Sequence, residues 1–149
     1  MTELHDDLRA WARGDYPTEA AVELLIRHGR FVYDGAPWIM RRLGAGGVPA
    51  GRSIDAASLL SDTAAYSGGE RRVAAIAASL LDRHDVTLSD VLPGLDRPTL
   101  DLVLAAFAHA GGSHEHSVLT YDDAGNPSGF AAATTLHPWP ATDSSAGRS

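Results

Sequence analysis

The residues with the clearest capacity for chemistry lie in the run HAGGSHEHS, which places His109, His114 and His116 within eight positions. If the segment after the glycine pair is extended, His114 and His116 fall on one face with Glu115 opposite, because side chains alternate along a strand. His109, across the turn, could then join them as a third imidazole. His137, in LHPWP, lies near the far end of a predicted hairpin and could return beside His116. Neutral imidazoles grouped in this way are the donor set for zinc, iron or manganese. Asp122 or Asp123 could add an oxygen ligand or act on a metal-bound water. A simpler reading also accounts for the same residues. His109 suits a helix C-terminus through the helix dipole, and the other histidines can sit in a solvated loop. No Ser-His-Asp order can be selected from so many candidates.

A second chemically suggestive stretch is SGGERRVAAIAASLLD, beginning at Ser67. Ser67 followed three residues later by Glu70 is a capping box, in which the serine accepts from the Glu70 N–H and the glutamate reaches back to the Ser67 N–H. From Ser67 onward the chain also resembles the C-terminal half of ATP-binding cassette ATPases. The resemblance matches Ser67, Gly68, Gly69 and Glu70 to the family's signature loop. It matches Asp90, 23 residues beyond Ser67, to the metal-coordinating aspartate, and GLD at Gly94–Asp96 to the turn that follows. It implies a nucleotide-associated loop that contacts nucleotide held by a partner. The position of the catalytic glutamate is Val91, and that of the switch histidine is Tyr121 or Asp122. No phosphate loop precedes Ser67, so the resemblance implies a degenerate ATPase-like module rather than an ATPase. Over most of its length the chain is also similar to small actinobacterial proteins of unknown function that share the helix pair, SHEHS and LHPWP.

Composition narrows the classes. The chain has 149 residues, no cysteine and a formal charge of −7. Disulfides, thiolate metal sites and cysteine nucleophiles are excluded. All 12 basic residues are arginine, which removes Schiff-base chemistry and the lysine of a Walker phosphate loop. General nucleic-acid binding needs a basic face that this charge does not supply. The seven histidines could cancel the charge if protonated, so solubility is expected to fall below about pH 6. No apolar run could span a membrane, and the N-terminus has no secretory pattern, so a cytoplasmic location is expected.

These residues must be positioned by a small set of elements. Leu4, Leu8, Trp11 and Ala12 predict an amphipathic helix over 3–13, and a second helix starts near Pro17 and closes at Gly29. RFVY, at 30–33, reads as a strand, and GAGGVPAG, at 44–51, as a flexible loop. A short helix follows with Ser53 as its possible cap. The clearest helices start at Ser67, with Val73, Ile76, Ala77 and Leu80 on one face, and at Asp96, with Leu100, Val103, Leu104 and Phe107. HSVLTY and GFAAATTLH, flanking DDAGNPSG, predict a β-hairpin. Trp139 between two prolines reads as a packing anchor, and residues 140–149 as a disordered tail.

The expected architecture is therefore α+β, a mainly helical single domain over 1–139 with a small C-terminal hairpin. The expected role is that of a non-catalytic accessory or regulatory protein binding a protein partner or forming a homo-oligomer, with no cofactor. The alternatives are a small metal-dependent, hydrolytic enzyme using His109, His114, His116 and His137, and the nucleotide-associated module.

Overall fold

The fold is organised around one helix. In the computed structural model, which describes residues 2–141, α2 (Tyr16–His28) has Ala20, Ala21, Val22, Leu24 and Leu25 fully enclosed. Pro17 sits in its first turn and Gly29 ends it at φ 87°, a left-handed conformation that glycine adopts without strain. Against α2 pack α1 (Thr2–Ala12), α4 (Gly68–Asp82) and α6 (Arg97–Ala110). Their buried faces mix large and small residues: Leu4 and Leu8 on α1, Val73, Ala74, Ile76 and Ala77 on α4, Val103 and Ala106 on α6. Short side chains among them let helix axes approach closely.

The remaining elements are α3 (Ala56–Asp62), the single turn α5 (Leu88–Val91) and two antiparallel hairpins. The first pairs β1 (Ile39–Leu43) with β2 (Pro49–Ile54), and the second pairs β3 (Ser117–Tyr121) with β4 (Pro127–Ala132). The protein is thus α+β, a mainly helical single domain with a C-terminal hairpin, as its sequence implies. No helix among the described residues is long and apolar enough to cross a membrane.

Several local expectations change. RFVY forms no strand. Phe31 and Val32 are buried in an irregular segment, and the Phe31 carbonyl accepts from the Trp38 indole N–H at 2.8 Å instead of entering a ladder. The apolar run signalled burial, and burial was met by an aromatic cluster of Phe31, Tyr33, Trp38 and Tyr66. The glycine-rich 44–51 stretch is half strand: Gly46 and Gly47 supply the positive φ of a tight turn, and pairing resumes at Pro49. Ser53 lies within β2, and Asp55 caps α3 by accepting from the Ser58 N–H.

The inward face of α6 is also rotated. Thr99, Val103 and Ala106 point to the core, Leu100 and Phe107 are half-buried, and Leu104 is exposed. Smaller residues, rather than the larger leucines, form its buried face. In α4, Val73, Ile76 and Ala77 are buried as expected. At the C-terminus, β4 begins at Pro127, two residues earlier than the predicted flank. Trp139 packs on the core margin under the Arg27 guanidinium, 5.2 Å from its ring centroid. Pro140, the first residue of the tail predicted over 140–149, accepts from Arg27 at 3.1 Å, while residues 142–149 lie outside the described residues.

Candidate functional site

Because α2 and α6 run antiparallel, the first turn of one lies beside the last turn of the other. This places Glu19 next to His109, an acid near a helix N-terminus and a histidine near a C-terminus, both favoured by the dipoles. Glu19 Oε1 and His109 Nε2 are 2.8 Å apart, and Glu19 Oε2 accepts from the Gly14 N–H at 3.0 Å. Gly112, at φ 75°, then folds the chain back over Tyr16, where an added Cβ would lie 3.2 Å from the ring. The chain enters a 3₁₀ turn, Ser113–Glu115, which lays His114 flat on His109 with centroids 4.0 Å apart and planes 9° from parallel. Tyr16 meets the His114 ring edge-on at 4.8 Å.

The three side chains are about one-fifth to one-quarter exposed, and His114 Nδ1 is buried without a hydrogen-bond partner among the described residues. Burial opposes ionisation of Glu19, but the Gly14 N–H and His109 outweigh it and hold its carboxyl below the usual glutamate range.

One ligand atom each from Glu19, His109 and His114 can be chosen so that all lie within 4.8 Å of one another. Two imidazoles and a carboxylate suit zinc, iron or manganese by donor type. A metal about 2.0–2.1 Å from each nitrogen must also lie near the plane of each ring. Stacked, nearly parallel rings send their lone pairs along separate planes. Coordination therefore requires one imidazole, most simply His114, to turn out of the stack. As arranged, the cluster is a hydrogen-bonded carboxylate–imidazole pair covered by a second imidazole.

Of the histidines singled out by sequence, the structure brings together His109 and His114 only. The 3₁₀ turn breaks the strand alternation that would have aligned His114 with His116, which is exposed beyond it. His137 lies on the outer side of α6, with Nε2 2.6 Å from Asp101 Oδ1. Asp122 is at the far hairpin tip, where its carboxylate accepts from the Ala124 and Asn126 N–H groups and shapes the turn. Glu19 was missed by sequence reasoning. Its only signal was an acid one turn into a helix, meaningful once α2 and α6 are docked.

The Ser67–Glu70 stretch opens a cleft of about 310 Å³, also lined by His28, Arg30, Asp96 and Thr99. Ser67 caps α4 by accepting from the Glu70 N–H, but Glu70 does not reach back to the backbone. Its carboxylate accepts from the Ser67 hydroxyl at 2.7 Å and from Arg30 at 3.2 Å. Gly68 lies against Arg72, and Gly69 opens on the cleft. Two helix N-termini meet here, yet each is closed by its own cap, and the carboxylates of Glu70 and Asp96 are both held below their usual range by hydrogen bonds. The Arg30 guanidinium offsets the Glu70 charge, so Asp96 is the acid on the cleft wall without a basic partner among the described residues.

The third feature is the β3–β4 hairpin. Leu119 and Phe130 are directly opposed across the strands, so their side chains share a face. Phe130 is 79% exposed, and none of the described residues from His114 onward is buried. No protein-family model matches the chain, and no curated protein or solved structure matches it either.

Proposed function

We propose that the chain is a non-catalytic binding protein, acting as an accessory or regulatory subunit, that docks a protein partner on its β3–β4 hairpin. One observation carries this reading: a two-stranded hairpin whose apolar pair, Leu119 and Phe130, is 42% and 79% exposed and joins no part of the core among the described residues. Isolated two-stranded hairpins are marginal in water. An exposed aromatic face with two free strand edges gains most by covering itself with another chain, through the face or through strand addition. The test is capture from host cells with wild-type chain and with Leu119→Ser/Phe130→Ser as parallel baits. A stoichiometric partner retained by the first and lost by the second supports the reading. Equal recovery by both baits, or no partner of any kind, ends it.

A second reading has its own observation, the convergence of Glu19, His109 and His114 around a buried nitrogen without a partner. It assigns a divalent transition metal to these three residues, with the His114 ring turned toward the ion. Elemental analysis of untagged protein purified without chelator tests it. Near-stoichiometric metal that disappears in His114→Ala supports the site. Metal-free protein whose melting temperature ignores added zinc excludes it.

A further inference from the structure

The arginines are not evenly distributed. Arg148 apart, all lie at or before Arg97, so residues 98–147 contain neither arginine nor lysine. The β3–β4 hairpin and its flanks carry Glu115, Asp122 and Asp123 as their charged groups, alongside exposed Leu119, Tyr121 and Phe130. The β1–β2 hairpin is its converse. Residues 35–54 contain no aspartate or glutamate and carry Arg41, Arg42 and Arg52. Arg52 is paired with Asp7 and Asp34. Among the described residues, Arg41 and Arg42 have no ion-pair partner, and both are exposed. Glu3 is the other acid beside them. Leu43 and Val48, 69% and 63% exposed, give this hairpin an apolar tip as well.

The two hairpins leave the body at opposite ends of α2. The second follows the α6 C-terminus, where Gly112 meets Tyr16, the first residue of α2. The first is tied through Arg52 to Asp34, beyond the C-terminus of α2. Thirteen helical residues span about 20 Å, and among the described residues each hairpin pairs only within itself. Complementary surfaces at opposite ends of one molecule meet between molecules, in a heterologous contact.

We propose that the chain assembles head to tail with copies of itself, the acidic β3–β4 hairpin of one copy seating on the basic β1–β2 hairpin of the next. This rests on the docking reading and names the partner as a second copy. Apolar side chains supply the buried centre of the contact, and the charges set its polarity and its salt dependence.

Sedimentation of the full chain, from about 1 to 500 µM and at roughly 0.05 and 0.5 M salt, tests the proposal. Wild type is expected to associate with rising concentration, and about tenfold less tightly at the higher salt, the size of a few rim charge pairs. Arg41→Glu/Arg42→Glu and Glu115→Arg/Asp123→Arg are each expected to weaken assembly by at least about tenfold. An equimolar mixture of the two regains it, because every contact in an alternating chain is then complementary. Asp122 is left unchanged because it builds the turn. Wild type that stays monomeric throughout overturns the proposal, as does association that neither charge variant weakens. Leu119→Ser/Phe130→Ser in the same runs separates the two ideas. If it alone dissolves the assembly, β3–β4 docks on a surface other than β1–β2, and the head-to-tail contact is wrong while the docking reading stands.

Discussion

Glu23 shows how one side chain ties together two helices and a pH range. It projects from α2 and accepts from Arg9 of α1 and from Arg27, one turn further along its own helix at 2.9 Å. Burial works against its charge, but the two guanidinium groups outweigh burial and hold its carboxyl below the usual glutamate range. The unfolded chain therefore binds this proton more readily than the folded one. The resulting stabilisation is complete above the unfolded value, about 4.3, and is lost as pH falls through the folded value. Glu23→Gln is expected to cost about 1 kcal/mol at neutral pH, a modest figure because Arg9 is partly solvated. Its deficit against wild type should shrink in acid. Urea denaturation at neutral pH and near pH 3 measures both, and a deficit that does not change with pH would remove the electrostatic account. Trp38 provides a second residue-level test. It is fully buried, and its indole N–H satisfies the Phe31 carbonyl. Trp38→Phe strands that carbonyl and leaves a void, so a loss of about 2–4 kcal/mol in the same experiment is expected. A loss under about 1 kcal/mol would mean that water replaces the indole donor.

At the scale of elements, helix starts were written locally and hairpin registers were not. Ser67 and Asp96 each accept from the backbone N–H three residues on, an interaction set by sequence spacing alone. Ser67→Ala is expected to cost about 1 kcal/mol in thermal or urea unfolding. No change would mean that Arg30 and Glu70 hold the α4 start unaided. The α2 limits were equally readable, because Pro17 and Gly29 act on their own φ. RFVY and the glycine-rich stretch misled for a common reason. Strand formation depends on a partner strand, and Phe31 and Val32 had a core but no ladder, whereas Gly46 and Gly47 turned one strand back on another. The histidine site was half visible in the same sense. His109 and His114 are joined by a short glycine turn, so their approach is encoded nearby. Glu19 is 90 residues from His109 and becomes a neighbour only through helix docking. His116 was grouped with them by assuming strand alternation across a segment that forms a 3₁₀ turn, and His137 by extending the hairpin beyond Ala132, where β4 ends.

At the scale of the whole molecule, stability and interaction are carried by different parts of the chain. The core draws on α1 to α6, the aromatic segment between α2 and β1, and Ile54 of β2, while residues 114–141 contribute no fully buried side chain. The C-terminal region is anchored instead by the bond between the Ser113 and Thr135 hydroxyls, 2.8 Å apart, and by Trp139 under Arg27. It follows that residues 117–132 can be replaced by a short glycine-serine linker with little effect on folding. Shortening a surface loop changes its closure entropy only slowly with length. Surface changes that remove no core contact generally stay within about 0.5 kcal/mol. At concentrations where wild type is monomeric, the melting temperature should therefore move by no more than about 1–2 °C, while the concentration-dependent association proposed for the hairpins disappears. Calorimetry and sedimentation of the same preparation check the two halves of the prediction. A fall well beyond that range would place the hairpin within the cooperative fold. Its exposed Leu119 and Phe130 would then no longer argue for a surface that a second chain covers.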